Sequence, residues 1–335
     1  MTAMPTPSYA VTPERRAEGT AIDAELETYR RPLTGYCYRM LGSGSEAEDA
    51  VQETLLRAWR GMDRFEGRSS LRSWLYRIAT NVCLDMLQGP QRRARPMDLA
   101  PSASAELPPG SGLPEHVWIQ PVADARVMPP DGDPAELTAA RESIRLAFIA
   151  ALQHLPPRQR AVLILREVLR WQASEVAELL DTTVASVNSA LQRARATLQT
   201  VDIEATEPLL DDARQRELLA RYVAAFERYD VASLVTLLRD DVTFSMPPHE
   251  LWLRGPLEVS KWLLGHGIGC KGSRLVPTVA NGCPAFGSYR QTGPNHHEPF
   301  ALQVVEIANG KIAGLHNFLY PERFPDFGLP ARLES

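Results

Sequence analysis

The sequence lacks the segments that direct a chain into or across a membrane. No apolar run approaches the length that spans a bilayer, and the first twenty residues have neither the basic start nor the apolar centre of a signal peptide. We therefore expect a cytoplasmic protein.

Cysteine is also scarce, and its distribution excludes the common metal frameworks. The four cysteines are far apart and show no paired metal-binding spacing, which predicts buried free thiols. The adjacent His296 and His297 point to opposite sides of a strand and do not favour a metal pair. We expect no metal and no cofactor.

The 335 residues, 44% hydrophobic and 23% charged, indicate a globular chain of two or three domains. The net charge of −5 is unevenly distributed. Lys and Arg outnumber Asp and Glu by 12 to 10 in residues 21–95 and by 8 to 6 in residues 136–200, but number 13 against 17 in residues 201–335. This asymmetry predicts a different role for the last segment.

Residues 155–198 have the pattern of three helices separated by turns. Pro156 and Pro157 can only open a helix, because proline lacks the N–H that an interior turn needs. The third helix is predicted to begin at Val184 with Thr183 as its cap. Its apolar stripe is Val184, Val187, Leu191, Ala194 and Leu198. Its opposite face carries Ala185, Ser186, Asn188, Ser189, Gln192, Arg193 and Arg195.

Small polar side chains and arginines on an exposed helix face suit the DNA major groove, although a solvated amphipathic helix has the same pattern. The stretch resembles region 4 of the extracytoplasmic-function group of sigma-70 factors, which reads the minus-thirty-five promoter element. At Asn188 and Ala190 many relatives carry basic residues, which implies fewer phosphate contacts here. The resemblance implies promoter contacts at Thr183, Val184, Ala185, Ser186, Asn188, Ser189, Gln192 and Arg193.

Residues 45–86 predict two helices joined by a loop. The first opens with a capping box of Ser45 and Glu48, and its predicted apolar side includes Trp59. Seven arginines lie between Arg64 and Arg95, after an acidic run. Basic side chains beside a loop and an aromatic helix can track phosphates and hold unstacked bases, whereas the polar face of the first helix could be merely solvated.

This segment, with AEDAVQETLLRAW and DRFEGRSSLRSWLYRIATNVCLDML, resembles region 2 of the same sigma factors. In that family the first helix docks on the clamp of RNA polymerase, and the loop and second helix recognise and open the minus-ten element. Trp74, Leu75 and Ile78 are interpreted as core because of their helical spacing. The resemblance implies polymerase contacts at Asp49, Gln52, Glu53 and Arg57, and minus-ten contacts at Arg64, Ser69, Ser70, Arg72, Arg77 and Asn81.

Residues 88–134 are rich in proline, alanine, glycine and serine and predict a linker. Trp118 and Ile119 lie among mostly polar residues in the sequence. This pattern indicates either that Trp118 docks on a partner or that it packs locally. The resemblance implies that the linker passes through the active-site cleft and RNA exit path of polymerase. A single helix from Ala135 to His154 is predicted to follow it.

The C-terminal third predicts helices followed by an antiparallel meander, an α+β cone. A helix is predicted from Asp211 to Leu238 and another from Pro256 to Leu264. The predicted strands are residues 240–246, Arg274–Ala280, Ala285–Thr292, Phe300–Ile307 and Ile312–Phe318. This order, with DDVTFSMPP, resembles the SnoaL-like (ketosteroid-isomerase-like) fold. The candidate cone pocket is Asp241, His249, Trp252, Trp262 and His316.

The predicted fold class is thus multidomain: two all-α sigma domains followed by an α+β SnoaL-like cone. The expected divisions are a flexible tail (1–20), region 2 (21–90), a linker (91–134), region 4 (135–200) and the cone (207–325). The resemblance implies a sigma factor that binds core RNA polymerase and promoter DNA at the nucleoid and performs no bond chemistry. Its activity would be modulated by the cone, with a small molecule as a candidate ligand there.

Two alternatives come from other classes of protein. One is a SnoaL-like enzyme targeted to DNA, which would need a carboxyl group of raised pKa facing an apolar pocket. The other is a helix-turn-helix regulator that acts without polymerase, and such a protein has no use for a clamp-docking helix.

Overall fold

The computed structural model of the protein describes residues 23–67, 69–89, 92–200 and 213–334. The predicted tail, residues 1–20, lies outside the described residues.

Three helices form region 2. After a helical segment at residues 23–28, they are α1 (Arg30–Leu41), α2 (Gly44–Gly61) and α3 (Leu71–Met86). The predicted capping box at Ser45 is wrong, because α2 begins earlier. Its cap is Ser43, whose hydroxyl accepts the backbone N–H of Glu46 at 3.2 Å.

Region 4 is also helical, but its first helix is split. The predicted helix Ala135–His154 is wrong because Arg145 has an extended backbone. The helices are α4 (Pro134–Glu142), α5 (Leu146–Gln153), α6 (Pro157–Leu163) with a π-helical turn at Ile164–Val168, α7 (Ala173–Leu179) and α8 (Val184–Gln199).

The segment between the sigma regions is folded against the rest of the protein. It contains short helical turns at Pro96–Leu99, Glu115–Val117 and Asp124–Val127, and Ala94 pairs with Trp118. The Trp118 side chain is fully buried, so it has a packing role here.

The C-terminal domain is a curved sheet packed against three helices, α9 (Ala213–Glu227), α10 (Val231–Thr236) and α11 (Pro256–Leu264). One continuous helix from Asp211 to Leu238 is wrong: Asp230 caps α10, Leu238 begins a strand, and Asp211 lies outside the described residues. The strands are β1 (Leu238–Ser245), β2 (Trp252–Arg254), β3 (Arg274–Ala280), β4 (Cys283–Gly293), β5 (His296–Ala308), β6 (Lys311–Phe318) and β7 (Leu333–Glu334). The sheet order is β2-β1-β6-β5-β4-β3 with β7 beside β5. Of these described strand pairs, β1–β6 is parallel and the others are antiparallel.

Two hydrophobic clusters form the interior. One lies between the concave face of the sheet and α9–α11. The other runs without interruption from region 2 through region 4 to the outer face of the sheet, where it includes Cys283, Val304 and Phe318. The sigma regions and the cone therefore share a core.

Candidate nucleic-acid and polymerase interface

The polar face of α8 is exposed along its first three turns. Thr183 caps the helix and accepts the N–H of Ser186 at 3.1 Å, as predicted. Val184 does not belong to the buried stripe, because its side chain is 43% exposed at the first turn, whereas Val187 and Ala194 are fully buried. All of the predicted minus-thirty-five residues are exposed: Thr183, Val184, Ala185, Ser186, Asn188, Ser189, Gln192 and Arg193.

The surface of α2 combines polar and apolar side chains. Glu53 is half-buried and pairs with Arg57 at 2.6 Å, while Asp49 and Gln52 are exposed. Trp59 was predicted as core, but it is 59% exposed, and Leu56 one turn before it is 43% exposed. We call Gln52, Leu56 and Trp59 the α2 surface, because their spacing places them on one side of the helix.

The loop before α3 and the helix itself carry the predicted minus-ten residues. Ser70 caps α3 and accepts the N–H of Ser73 at 3.1 Å, Ser69 is half-buried, and Asn81 is exposed. Arg64 ends a short helical turn, and its side chain lies outside what the structure describes.

The residues interpreted as core in α3 divide between the interior and its edge. Leu75 is fully buried, while Trp74 and Ile78 are half-buried. The Trp74 ring contacts that of Phe65 across the loop, with centroids 4.9 Å apart.

Two predicted promoter contacts of region 2 are instead held by region 4. The guanidinium of Arg72 lies 4.8 Å from the ring centroid of Trp171, within cation–π range. Arg77 Nη2 donates to the backbone carbonyl of Glu178 at 2.8 Å. We call these two interactions the closed contact.

Buried arginines strengthen the junction between the two regions. Arg39 Nη2 on α1 donates to Ser143 Oγ at 2.6 Å, and burial lowers the pKa of Arg39 to about 10. Arg160 on α6 donates to Gln153 Oε1 at 2.6 Å and to the carbonyl of Met40 at the end of α1. Burial also lowers the pKa of Arg160 to about 10, so both side chains remain charged at neutral pH.

Asn281, in the turn between β3 and β4, joins the cone to both regions and to the linker. Its amide nitrogen donates to Tyr38 Oη at 2.6 Å and to the carbonyl of Ile144 at 2.7 Å. Its Oδ1 accepts the N–H of Val122 at 2.9 Å. The next residue, Gly282, donates its N–H to the carboxylate of Asp124 at 2.9 Å. Sequence analysis missed Asn281, because an Asn-Gly pair signals only a tight turn.

A row of three buried polar side chains lies on the outer face of the sheet. Ser245 Oγ is 2.9 Å from His316 Nδ1, and His316 Nε2 is 3.3 Å from Glu306 Oε2. Burial would raise the pKa of Glu306, but His316, Arg95 and Arg145 outweigh it and hold that pKa below its usual value. All three members are at most 3% exposed.

The concave side of the sheet encloses a cavity of about 280 Å³, lined by His249 and Trp262 among the five predicted pocket residues. Asp241, Trp252 and His316 are not among its lining residues, so their predicted place there is wrong. His316 alternates along β6 with Leu315 and Asn317, which face the cavity, and so points outward. Trp252 Nε1 donates to the carbonyl of Ala100 at 2.7 Å.

Asp241 forms an ion pair with Arg239 and is 45% exposed. The hydrogen bond and positive charge of Arg239 hold the pKa of Asp241 below its usual value. A general base of raised pKa would need the opposite environment.

Within the ranges that the structure describes, none of the helices combines the length and apolar character needed to cross a bilayer. The same part of the chain holds no group of three or more His, Cys, Asp and Glu side chains suited to a metal ion.

Both helical regions of the chain match known protein families, and most of its length matches known proteins. Residues 26–93 match the Sigma-70 region 2 family model, and residues 145–198 match Sigma-70, region 4. The chain is 45% identical over 328 residues to the ECF RNA polymerase sigma factor SigG of Mycobacterium tuberculosis, a match that covers 96% of this chain and 86% of that protein. It is 28% identical to SigJ of the same organism, over 92% of this chain and 95% of that protein.

The whole arrangement also has a structural counterpart. The crystal structure of the M. tuberculosis extracytoplasmic function sigma factor SigJ matches with a TM-score of 0.58 and 24% identity, covering 92% of this chain and all of that one. The two chains therefore share a fold. On these matches, the chain belongs to the extracytoplasmic-function family of RNA polymerase sigma factors.

Proposed function

We propose that this protein directs core RNA polymerase to promoters at the nucleoid, with α8 reading the minus-thirty-five element and region 2 opening the minus-ten element. The observation that carries the proposal is the exposed face of α8, where every predicted contact residue is accessible. Small polar side chains near the start of a helix can reach base edges, while Arg193 can neutralise a phosphate.

The α2 surface is the proposed contact with polymerase. An exposed tryptophan beside a leucine and a polar residue has the composition of an interface hot spot. Asp49 and the Glu53–Arg57 pair would form the polar rim around it.

The cone is proposed to restrain the free protein in a closed arrangement. In the closed contact, Arg72 and Arg77 are engaged by region 4 although both are exposed, so promoter DNA would have to compete with region 4 for them. The shared core and the bonds of Asn281 stabilise this arrangement, and polymerase binding would have to separate regions 2 and 4.

The proposed role is binding rather than catalysis. The Ser245–His316–Glu306 chain is sealed beneath the linker, and Asp241 is exposed and ion-paired. A small molecule in the cone cavity would act as a regulatory ligand.

Run-off transcription tests the proposal. The full chain is mixed with purified core RNA polymerase and a pool of genomic promoter fragments, and defined start sites are expected. A Gln192→Ala/Arg193→Ala variant should still bind polymerase but lose promoter selection. Failure of the full chain both to bind polymerase and to initiate would refute it.

A further inference from the structure

The cone cavity is apolar on most sides but carries a cluster of hydrogen-bond donors. Phe226, Phe244, Trp262 and Leu315 contribute to its apolar wall. Its volume of about 280 Å³ suits a small organic molecule. At this size a few polar groups would fix the orientation of the ligand.

Arg290 on β4 is the arginine in the wall of the cavity. Its guanidinium carbon stacks 3.4 Å from the ring centroid of Phe300, and Nη2 lies 3.6 Å from the Cys270 sulfur. Its Nε is buried without a hydrogen-bond partner. Among the described residues no carboxylate lies within 4.0 Å of it, although Glu298 is its cross-strand neighbour.

Gln303 and His249 in the cavity wall also have polar atoms that could bind a ligand. Gln303 accepts the Tyr222 hydroxyl at 2.8 Å through Oε1, which leaves its amide nitrogen for a further acceptor. His249 Nδ1 is buried and makes no hydrogen bond to the described residues. No Asp or Glu side chain is among the residues that line the cavity.

We propose that the cavity binds a small, mostly apolar organic carboxylate, with its carboxylate on Arg290 and its ring or branched chain among the aromatic side chains. Arg290 is half-buried, and its buried Nε without a hydrogen-bond partner is costly. A carboxylate supplies both a counter-charge and the acceptors that are missing. An acidic ligand fits this site better than a neutral or cationic one.

The linker forms part of the same wall. We call residues 100–113 the strap. The N–H of Ala103 donates to the carbonyl of Trp252 and the N–H of Leu113 to that of Pro248, each at 2.8 Å. The N–H of Ala105 donates to Glu258 Oε2 at 2.8 Å, and Pro109 lines the cavity. A bound ligand therefore contacts the segment that connects regions 2 and 4.

Through this contact, binding of the ligand could affect the sigma regions. Occupancy would change the stability of the strap and, through it, the closed arrangement. The effect of the ligand on the closed arrangement rests on the proposed function, whereas binding of the ligand to the cavity does not.

The test is direct binding to the full chain, in the absence of polymerase and DNA. The probes are 2-naphthoate and its neutral isostere 2-naphthamide. Binding of each is measured by isothermal titration calorimetry. We expect one naphthoate per chain, bound about tenfold more tightly than the amide. Hydrogen exchange at Ala103, Ala105 and Leu113 should change on naphthoate binding.

Variants of Arg290 test whether this side chain binds the carboxylate of the ligand. Arg290→Met should weaken naphthoate binding about tenfold and leave the amide nearly unchanged, whereas Arg290→Lys should retain the preference for naphthoate. Arg254→Met removes an exposed charge outside the cavity and serves as the control. Circular dichroism checks that each variant is folded.

The proposal is overturned if neither probe binds the folded wild-type chain, or if both bind equally and Arg290→Met has no effect. Run-off transcription by the same preparation is an independent readout, so loss of the ligand proposal and loss of the sigma-factor proposal are distinguishable.

Discussion

The side-chain amide nitrogen of Asn281 in the cone lies 2.6 Å from the hydroxyl oxygen of Tyr38 in region 2. The same nitrogen reaches the carbonyl of Ile144, just before α5 of region 4, at 2.7 Å. Tyr38 in turn donates to the carbonyl of Gln120 in the linker at 2.9 Å. One buried residue of the C-terminal domain thus joins region 2, the linker and region 4.

Replacing Asn281 by alanine should loosen the closed arrangement. The buried N–H of Val122 and the carbonyl of Ile144 would lose their partner, at an expected cost of about 3 kcal/mol in the free energy of unfolding. We expect a larger radius of gyration by small-angle X-ray scattering. Transcription at limiting protein concentration should rise.

Asn309→Ala is the matched control, because Asn309 has almost the same backbone φ (55° against 54°) but is exposed. Both variants carry the same strain of alanine at positive φ, so their difference isolates the buried hydrogen bonds. Equal compactness and equal transcription in the two variants would argue against restraint by the cone.

Much of the fold follows from periodicity and turn residues. The alternation from Arg274 to Ala280 and the proline at Pro256 predicted a strand and a helix with the observed bounds. The helix break at Ser143 was missed because its side chain bonds Arg39, about a hundred residues away. The break at Asp230 is a local cap, in which Asp230 accepts the N–H of Ser233, and the continuous apolar pattern concealed it.

The candidate site was less accessible to prediction. The exposed face of α8 is local and follows from its sequence, whereas the exposure of Trp59 depends on which neighbours pack against α2. The closed contact and Asn281 link residues about a hundred or more positions apart, as in Arg77 with Glu178, and no short-range pattern encodes them. The cavity residue Arg290 was missed because an isolated arginine in a strand carries no signal.

Trp59→Ala should weaken binding to core polymerase about thirtyfold, which corresponds to about 2 kcal/mol for an aromatic hot spot. Because Trp59 is 59% exposed, the free energy of unfolding should change by no more than about 0.5 kcal/mol. Fluorescence anisotropy of labelled protein with purified polymerase measures the affinity. Leu257→Ala, which removes an apolar side chain that is 68% exposed on the cone, should have no effect. Similar losses of polymerase affinity in both variants would contradict the assignment of the α2 surface as the contact with polymerase.

Arg193→Ala should reduce the salt dependence of promoter binding. Arg193 is exposed on α8, and no ion pair to it is found in the part of the chain that the structure describes. If it neutralises one phosphate, the slope of log K against log salt concentration should decrease by about one. The measurement is polymerase-dependent binding to a promoter fragment at several salt concentrations. Lys311→Ala removes an equal charge from an exposed turn of the cone, and an identical slope change there would indicate a long-range charge effect instead.

Asp124 should make the docking of the linker on the cone dependent on pH. Burial raises its pKa from 3.8 to about 6, although the Gly282 N–H and Arg141 act in the opposite direction. A carboxyl group whose pKa is higher in the folded state holds its proton there longer. Stability is therefore lost as the pH rises from about 4 to about 6, by at most about 3 kcal/mol.

Asp124→Asn should remove that pH-dependent loss, so the variant should gain stability relative to the wild type at pH 7 but not at pH 4. Urea unfolding of both proteins across this pH range measures the difference. Asp131→Asn, an exposed position in the same linker, is the control and should follow the wild type. If Asp124→Asn also follows the wild type at every pH, the pKa of Asp124 is the same in the folded and the unfolded chain, and docking of the linker does not depend on its titration.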